Sequence, residues 1–196
     1  MTGSTGMNIL VPIFYFIIGG LAFLYYRRKG VPKTPEELVE QIVKKAFENV
    51  DNSDHKEHEL VKALYKSENF IQDLSLTAKY KGKTVGYILF TKAYVGENEY
   101  LVLAPLAVLP RYQKKGVGKN LVTQGQELAK KKGFKGVFVL GDPKYYSKFG
   151  YKPASQYGIK APMEVNDENF MAIELIPGAF DGVTGTLEYA KEFGLN

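Results

Sequence analysis

Leu106-Ala107-Val108-Leu109-Pro110-Arg111-Tyr112-Gln113-Lys114-Lys115-Gly116-Val117-Gly118-Lys119 joins an apolar run to a basic, glycine-bearing turn. The run reads as a strand that stops at Pro110, and Gly116 opens a helical pattern. A strand followed by a turn and a helix start leaves the first helical amides without partners, aimed at whatever lies in front of them. Gly116 and Gly118 remove the Cβ atoms that would hold a phosphate away, and the helix dipole favours negative charge at that end. Lys114, Lys115 and Lys119 add mobile positive charge. Gln113 to Lys119 therefore reads as a phosphate cradle, with Val117 turned inward between its two glycines. The spacing lacks the Gly-Lys-Ser/Thr ending of a nucleotide-triphosphate loop and the three glycines of the dinucleotide fingerprint, so the pyrophosphate of a coenzyme A fits it better.

Working outward, Val117, Leu121, Gly125 and Leu128 fall on one face of a helix over residues 116 to 132, which Gly133 ends. Upstream, Tyr100 to Leu109 form an apolar run broken by Pro105. Proline cannot donate to a sheet ladder, so Pro105 marks a bulge, an edge or a place where neighbouring strands part. Leu74, Leu76, Ala78 and Tyr80 alternate with polar residues as a half-buried strand does, Lys81-Gly82-Lys83 turns the chain, and Thr84 to Ala93 return as its partner. Thr34-Pro35-Glu36-Glu37 is a capping box, followed by an apolar face of Val39, Ile42, Val43, Ala46 and Phe47. A second helix is expected near Asp54, burying Leu60, Val61 and Leu64. Downstream, Val137 to Leu140 read as a short strand, Lys144 to Phe149 as a brief helix ending at Gly150, and Phe170 to Ile176 as a late strand.

Composition narrows the function. The chain has 196 residues, 45% hydrophobic and 24% charged, the balance of a folded domain. It has no Cys, which excludes disulfides, thiolate metal sites and a cysteine nucleophile. His55 and His58 are its two histidines, too few for a histidine-rich metal centre, and no metal is expected. A net charge of +5 favours anionic partners. The lysines gather at the cradle and lack interleaved aromatics, so nucleic acid is not the expected partner. Residues 1–29 form a hydrophobic N-terminal segment ahead of a domain over 30–196. Asn8 to Tyr26 carry no charge and are followed by Arg27, Arg28 and Lys29. At ~20 residues this stretch is long enough to cross a bilayer, and its basic flank would keep the domain on the cytoplasmic side. The other reading makes Leu21 to Arg28 the first strand of the domain, after breaks at Pro12, Gly19 and Gly20.

Leu106 to Pro110 with Gln113 to Gly118 resembles motif A of the GNAT superfamily of N-acetyltransferases. Gly141-Asp142-Pro143-Lys144-Tyr145-Tyr146-Ser147-Lys148-Phe149-Gly150-Tyr151 is similar to that superfamily's C-terminal segment, in the version found in its YhbS-like branch, and Gly182 to Thr186 also look like that branch. The similarity spans roughly residues 34 to 196. It implies an α/β (α+β) fold: a mixed, mostly antiparallel sheet of six or seven strands with helices on both faces and a splayed fourth and fifth strand. It also implies that the pantetheine of acetyl-CoA pairs with the backbone of Leu106, Ala107 and Val108, which agrees with the reading of Pro105. Acetyl-CoA is then the co-substrate and a primary amine the acceptor, by direct transfer in a ternary complex. The superfamily's usual acid matches Tyr146, a phenol able to protonate the departing thiolate, while Tyr145 is assigned to packing. Glu57, His58, Glu59, Glu97 and Glu99 are the candidates for a general base, with water as the alternative. A non-catalytic acyl-CoA-binding module of the same fold is the rival function.

Overall fold

The computed structural model describes residues 9–10, 34–51 and 53–195. Helix α1 runs Pro35–Phe47 and starts as its capping residues predict, with the Thr34 hydroxyl accepting from the Glu37 amide at 3.1 Å. Helix α2 runs Glu57–Leu64, later than Asp54. Ser53 and Asp54 take the amides of His55 (2.8 Å) and Lys56 (3.0 Å) onto their side chains, and His55 adopts a φ of 60°, so helical backbone cannot begin before Glu57.

The strands and later helices follow in chain order: β1 Ile9–Leu10, β2 Phe70–Tyr80, β3 Lys83–Val95, β4 Asn98–Val108, α3 Val117–Lys131, β5 Gly136–Leu140, α4 Pro143–Tyr146, β6 Lys152–Pro153, β7 Ile159–Lys160, β8 Phe170–Glu174 and β9 Gly185–Thr186. Seven of them form one sheet in the order β1-β2-β3-β4-β5-β8-β6, while β7 and β9 pair with each other. Within the large sheet the β4–β5 pairing is parallel and the other described pairings are antiparallel. The mixed, mostly antiparallel sheet with helices on both faces is the architecture expected. Lys81 and Gly82 take φ of 48° and 75°, the two left-handed positions of a tight hairpin, and this joins β2 to β3 in the register Tyr80 to Lys83.

Three apolar clusters hold the layers. α1 and α2 bury Val39, Val43, Val61 and Leu64 against Tyr87, Leu89 and Ala107 on one face. α3 buries Val117, Leu121 and Val122 against Leu76, Ile88, Phe90, Leu101 and Leu103 on the other. Gly125 lets α3 come close, because a Cβ there would strike the Phe90 ring. The segment from Ala154 onward packs Ile159, Phe180 and Leu187 against Ala93, Val102, Phe138 and Phe170. Since side chains alternate along a strand, Ala93 shares a face with Leu89 and Tyr87, so this third cluster lies on the α1/α2 side.

The N-terminal stretch is partly described. Ile9 and Leu10 pair with Ala78 and Thr77 as an edge strand, so this piece of the uncharged run from Asn8 belongs to the sheet and not to a spanning helix. No helix among the described residues is long and apolar enough to cross a membrane. The rest of the stretch to Tyr26, and the strand expected at Leu21 to Arg28, lie outside the described residues.

Candidate acyl-CoA and amine site

β4 changes partners half-way along. Against β5 it pairs at Leu101–Val137 and Val102–Phe138, and the two strands then part. Against β3 the register shifts between Ile88–Leu106 and Phe90–Leu103, so one extra residue of β4 is accommodated at Ala104-Pro105. That bulge sits where the strands separate, as the position of Pro105 implied. The Leu109 amide donates to the Val85 carbonyl at 2.9 Å, which makes Leu109 and Ala107 the residues that bond β3. The backbone groups of Leu106 and Val108 therefore point the other way, into the opening left by β5. The Val108 carbonyl is met there by the side-chain amide of Gln113 at 3.0 Å.

Beyond Val108 the chain makes a 3-10 turn at Pro110–Tyr112, and Lys114 and Gly116 take left-handed φ of 57° and 84°. These two reversals point the chain back into α3. Gly116 is the N-cap and offers no side-chain cap, so the first-turn amides of Val117, Gly118 and Lys119 have no intrahelical partner. Val117 is buried and fixes the turn to the core, while Lys114, Lys115, Lys119 and the neighbouring Arg111 are exposed around the open amides. A Cβ at Gly116 would meet nothing within 4 Å, whereas one at Gly118 would lie 2.5 Å from the Tyr145 hydroxyl oxygen and 3.7 Å from a Val108 methyl. The cradle thus has Gly118 at its inner wall, between β4 and α4.

α4 carries the two tyrosines, and they differ in burial. Asp142 caps it by accepting from the Lys144 amide at 2.8 Å, and Gly150 ends the following turn with φ of 92°. Tyr146 is 8% exposed, packed edge-on to Tyr145 and Tyr151 with ring centroids 5.1 and 5.6 Å apart. Its ring lies on Gly141, which has no Cβ to block it. Burial pushes the Tyr146 phenol well above its ordinary value, and Tyr145 adds to the shift. Tyr145 is half-buried, its phenol is also raised by burial, and its hydroxyl reaches the cradle. Packing alone, the role read for Tyr145, leaves out this hydroxyl. No sequence pattern announces it, because two consecutive helical side chains share the same composition and diverge only in direction.

The carboxylates considered as bases separate. Glu99 binds Lys92 at 2.7 Å and the Tyr94 hydroxyl at 3.0 Å, at the opposite end of β4 from the cradle. Nine residues of strand put it roughly 30 Å from Val108, and Glu97 lies in the same distant turn. Glu57 accepts from the Ser53 hydroxyl at the start of α2, and Glu59 is exposed. His55 Nδ1 donates to the Phe47 carbonyl at 2.8 Å and ties the α1–α2 connection together. His58 is half-buried on α2. Among the described residues no group of three or more His, Asp or Glu could hold a metal ion.

The sequence profile of the Acetyltransferase (GNAT) family matches residues 37–151. The chain belongs to this family. The uncharacterized N-acetyltransferase YjhQ of Escherichia coli K12 is 44% identical over 119 residues, covering 58% of this chain and 66% of that one. The uncharacterized N-acetyltransferase YhbS of the same strain is 33% identical over 115 residues, 58% of this chain and 69% of the relative. Among solved structures, the GNAT family N-acetyltransferase YhbS from Escherichia coli in complex with CoA superposes with a TM-score of 0.79 over 99% of this chain and 95% of that one, a likeness of fold at 24% identity. A GNAT family acetyltransferase from Brucella melitensis in complex with acetyl-CoA gives 0.69 at 25% identity, covering 97% and 99%. The GNAT segment ends at Tyr151, so cradle, bulge and both tyrosines of α4 fall within it, and the chain after residue 151 falls outside it.

Proposed function

We propose that this GNAT protein is an acetyl-CoA-dependent N-acetyltransferase that moves an acetyl group directly to a primary amine in a ternary complex. The observation that carries the reading is the open half of β4, whose backbone at Leu106 and Val108 faces away from β3, the Val108 carbonyl held by Gln113, and leads from an uncapped, lysine-ringed helix start to the point where β5 departs. Coenzyme A has a chemistry that fits each part. Its pyrophosphate suits the amides of Val117 to Lys119 with Lys114 and Lys115 around them, and its pantetheine amides can complete the ladder that β5 leaves open. The CoA and acetyl-CoA complexes of the YhbS and Brucella structures support that choice.

In the reaction the amine lone pair attacks the thioester carbonyl, a C–N bond forms, the C–S bond breaks, and the proton lost from the amine passes to water. The thiolate takes the hydroxyl proton of Tyr146, which solvent restores. Burial, which raises the Tyr146 phenol, keeps it protonated at neutral pH but also makes it a weaker acid toward a thiolate, so the role is assigned on its place in α4 and not on the shift. Of the carboxylates considered as bases, Glu97 and Glu99 lie at the far end of β4 and Glu57 is held by the Ser53 hydroxyl, and water is assigned to take the amine's proton. Tyr145, its hydroxyl beside Gly118, is assigned to the wall of the acyl-CoA channel.

Thiol release from acetyl-CoA with a panel of primary amines tests the proposal. Amine-dependent release with a matching N-acetyl product is expected. Tight acetyl-CoA binding without release by any amine would return the chain to the rival role of a non-catalytic acyl-CoA-binding module.

A further inference from the structure

Leu140 closes β5 and is 46% exposed, although it ends an apolar strand whose other residues are buried. Val137 and Val139 face α3 and Phe138 faces the opposite cluster, so alternation sends Leu140 to the Phe138 side. It is left bare because β4 has already departed. Its cross-strand partner is Phe170 at the start of β8, one strand spacing of roughly 5 Å away. Phe170 stacks on Phe138 with centroids 5.8 Å apart and forms one wall of a cavity of about 430 Å³. The rest of that cavity's lining includes Ile159, Ala161, Met163 and Val165, all buried or half-buried, with Lys160, Glu164 and Asp167 exposed at its rim. Asp167 is held by the Ser155 hydroxyl at 2.8 Å. Ala104, at the bulge of β4, packs against the same cluster.

The cavity is also tied to the acid. The Gly141 amide donates to the Asn169 carbonyl at 2.9 Å, and the Asn169 side-chain amide donates to the Gly141 carbonyl at 3.0 Å. The chain leading into the cavity wall is thereby clamped to the glycine on which Tyr146 rests. Tyr146 belongs to the cluster on the α3 face, while the cavity opens on the α1/α2 face. The gap between β4 and β5 separates the two, so a thiolate can be protonated on one side of the sheet while an amine approaches from the other.

We propose that this cavity holds the body of the acceptor, and that the acceptor is a small primary amine borne on an apolar alkyl or arylalkyl group. The inference rests on the transferase function proposed above. The volume is in the range of small-molecule sites. The inner lining of Ile159, Ala161, Met163, Val165 and Phe170 is apolar, so a second cationic group held against it would lose its water with no partner there, which is costly, while Glu164 and Asp167 stand outside it at the rim, Asp167 already held by Ser155. A monoamine leaves only its reacting nitrogen polar, directed past Leu140 to the gap.

A matched pair tests this on the whole protein: hexylamine against 1,6-diaminohexane, equal in length and different only in the far ammonium, followed by thiol release at saturating acetyl-CoA. The expected result is a kcat/KM at least tenfold higher for hexylamine. Met163→Glu should shrink or reverse that ratio while acetyl-CoA affinity, measured by calorimetry, stays within twofold, and Met163→Leu should preserve the ratio. Equal or better use of the diamine, or a ratio indifferent to Met163→Glu in a protein that still binds acetyl-CoA, overturns the pocket assignment and leaves the transferase standing. Acetyl-CoA binding with no release by either amine, or by any other in the panel, overturns the transferase reading and this inference together.

Discussion

The two halves of β4, polar at its start and wholly apolar from Leu103 on, have opposite fates. From Asn98 to Val102 the strand pairs with β3, and at Leu101 and Val102 with β5 as well, and its charge is spent locally, with Glu99 bound to Lys92 and to the Tyr94 hydroxyl. A cleft of about 370 Å³ opens there between Glu97, Tyr100 and Lys135, where Glu99 is held by Lys92 and the Tyr94 hydroxyl. From Leu103 to Val108 the strand keeps β3 and loses β5. The open half has the smaller share of ion pairs and the larger share of unused backbone valence. A cavity alone therefore says little about where a ligand binds. Backbone groups that the protein has arranged but not paired say more, because leaving them buried and unmatched is expensive.

Tyr146→Phe should produce the largest effect. It keeps the ring on Gly141 and removes only the hydroxyl, so kcat should fall by about 10²–10⁴-fold with acetyl-CoA affinity little changed. Near-normal turnover in a regime where chemistry limits the rate would falsify the acid role. The wild-type rate should show no alkaline decline from this phenol near its ordinary value of ~10, since burial has moved it upward. Stability should fail first: Tyr87, Tyr146 and Tyr151 are all raised in the folded protein by burial, so the unfolded chain loses protons at lower pH. The stability they contribute is complete below pH ~10 and drains away as pH rises toward their folded values. Urea titrations between pH 8 and 11 check the sign.

Gly118→Val comes next. The helix should survive, while acetyl-CoA affinity drops about 10–100-fold, the equivalent of one or two hydrogen bonds to a charged group. Because the new side chain also meets the Tyr145 hydroxyl, the double variant with Tyr145→Phe sharpens the result. Affinity that stays low in the double variant assigns the loss to the phosphate cradle, and affinity that recovers assigns it to a displaced Tyr145. Smallest of all should be Glu99→Gln in the closed half. An exposed pair of this kind contributes at most about 1 kcal/mol, and turnover should stay within twofold of wild type. A large catalytic loss there would reverse the ranking of the two halves.

What the sequence disclosed was local. The Thr34 cap, the Lys81-Gly82 hairpin and the turn from Gln113 to Gly118 each depend on neighbours a few residues apart, so residue type and spacing suffice to read them. The gap was legible at one remove, through Pro105. The start of α2 was misplaced because Ser53 and Asp54, good capping residues by type, spend their side chains on His55 and Lys56 instead. The contrast between Tyr145 and Tyr146 depends on which of two adjacent rings meets Gly141 and which meets Gly118, a matter of packing across elements. The exposure of Leu140 was hidden for a similar reason, since an apolar strand end looks the same whether or not its neighbour has left. The cavity formed by residues 155 to 170 has short turns and no periodicity, and only the folded chain brings Met163, Val165 and Phe170 together.

Amide hydrogen exchange along β4, with and without acetyl-CoA, tests the central claim most directly. The open half is expected to gain protection at Leu106 and Val108, together with the amides of Val117 to Lys119, while Asn98 to Val102 remain as they were. Binding of acetyl-CoA that leaves Leu106, Val108 and the start of α3 unprotected would contradict the account.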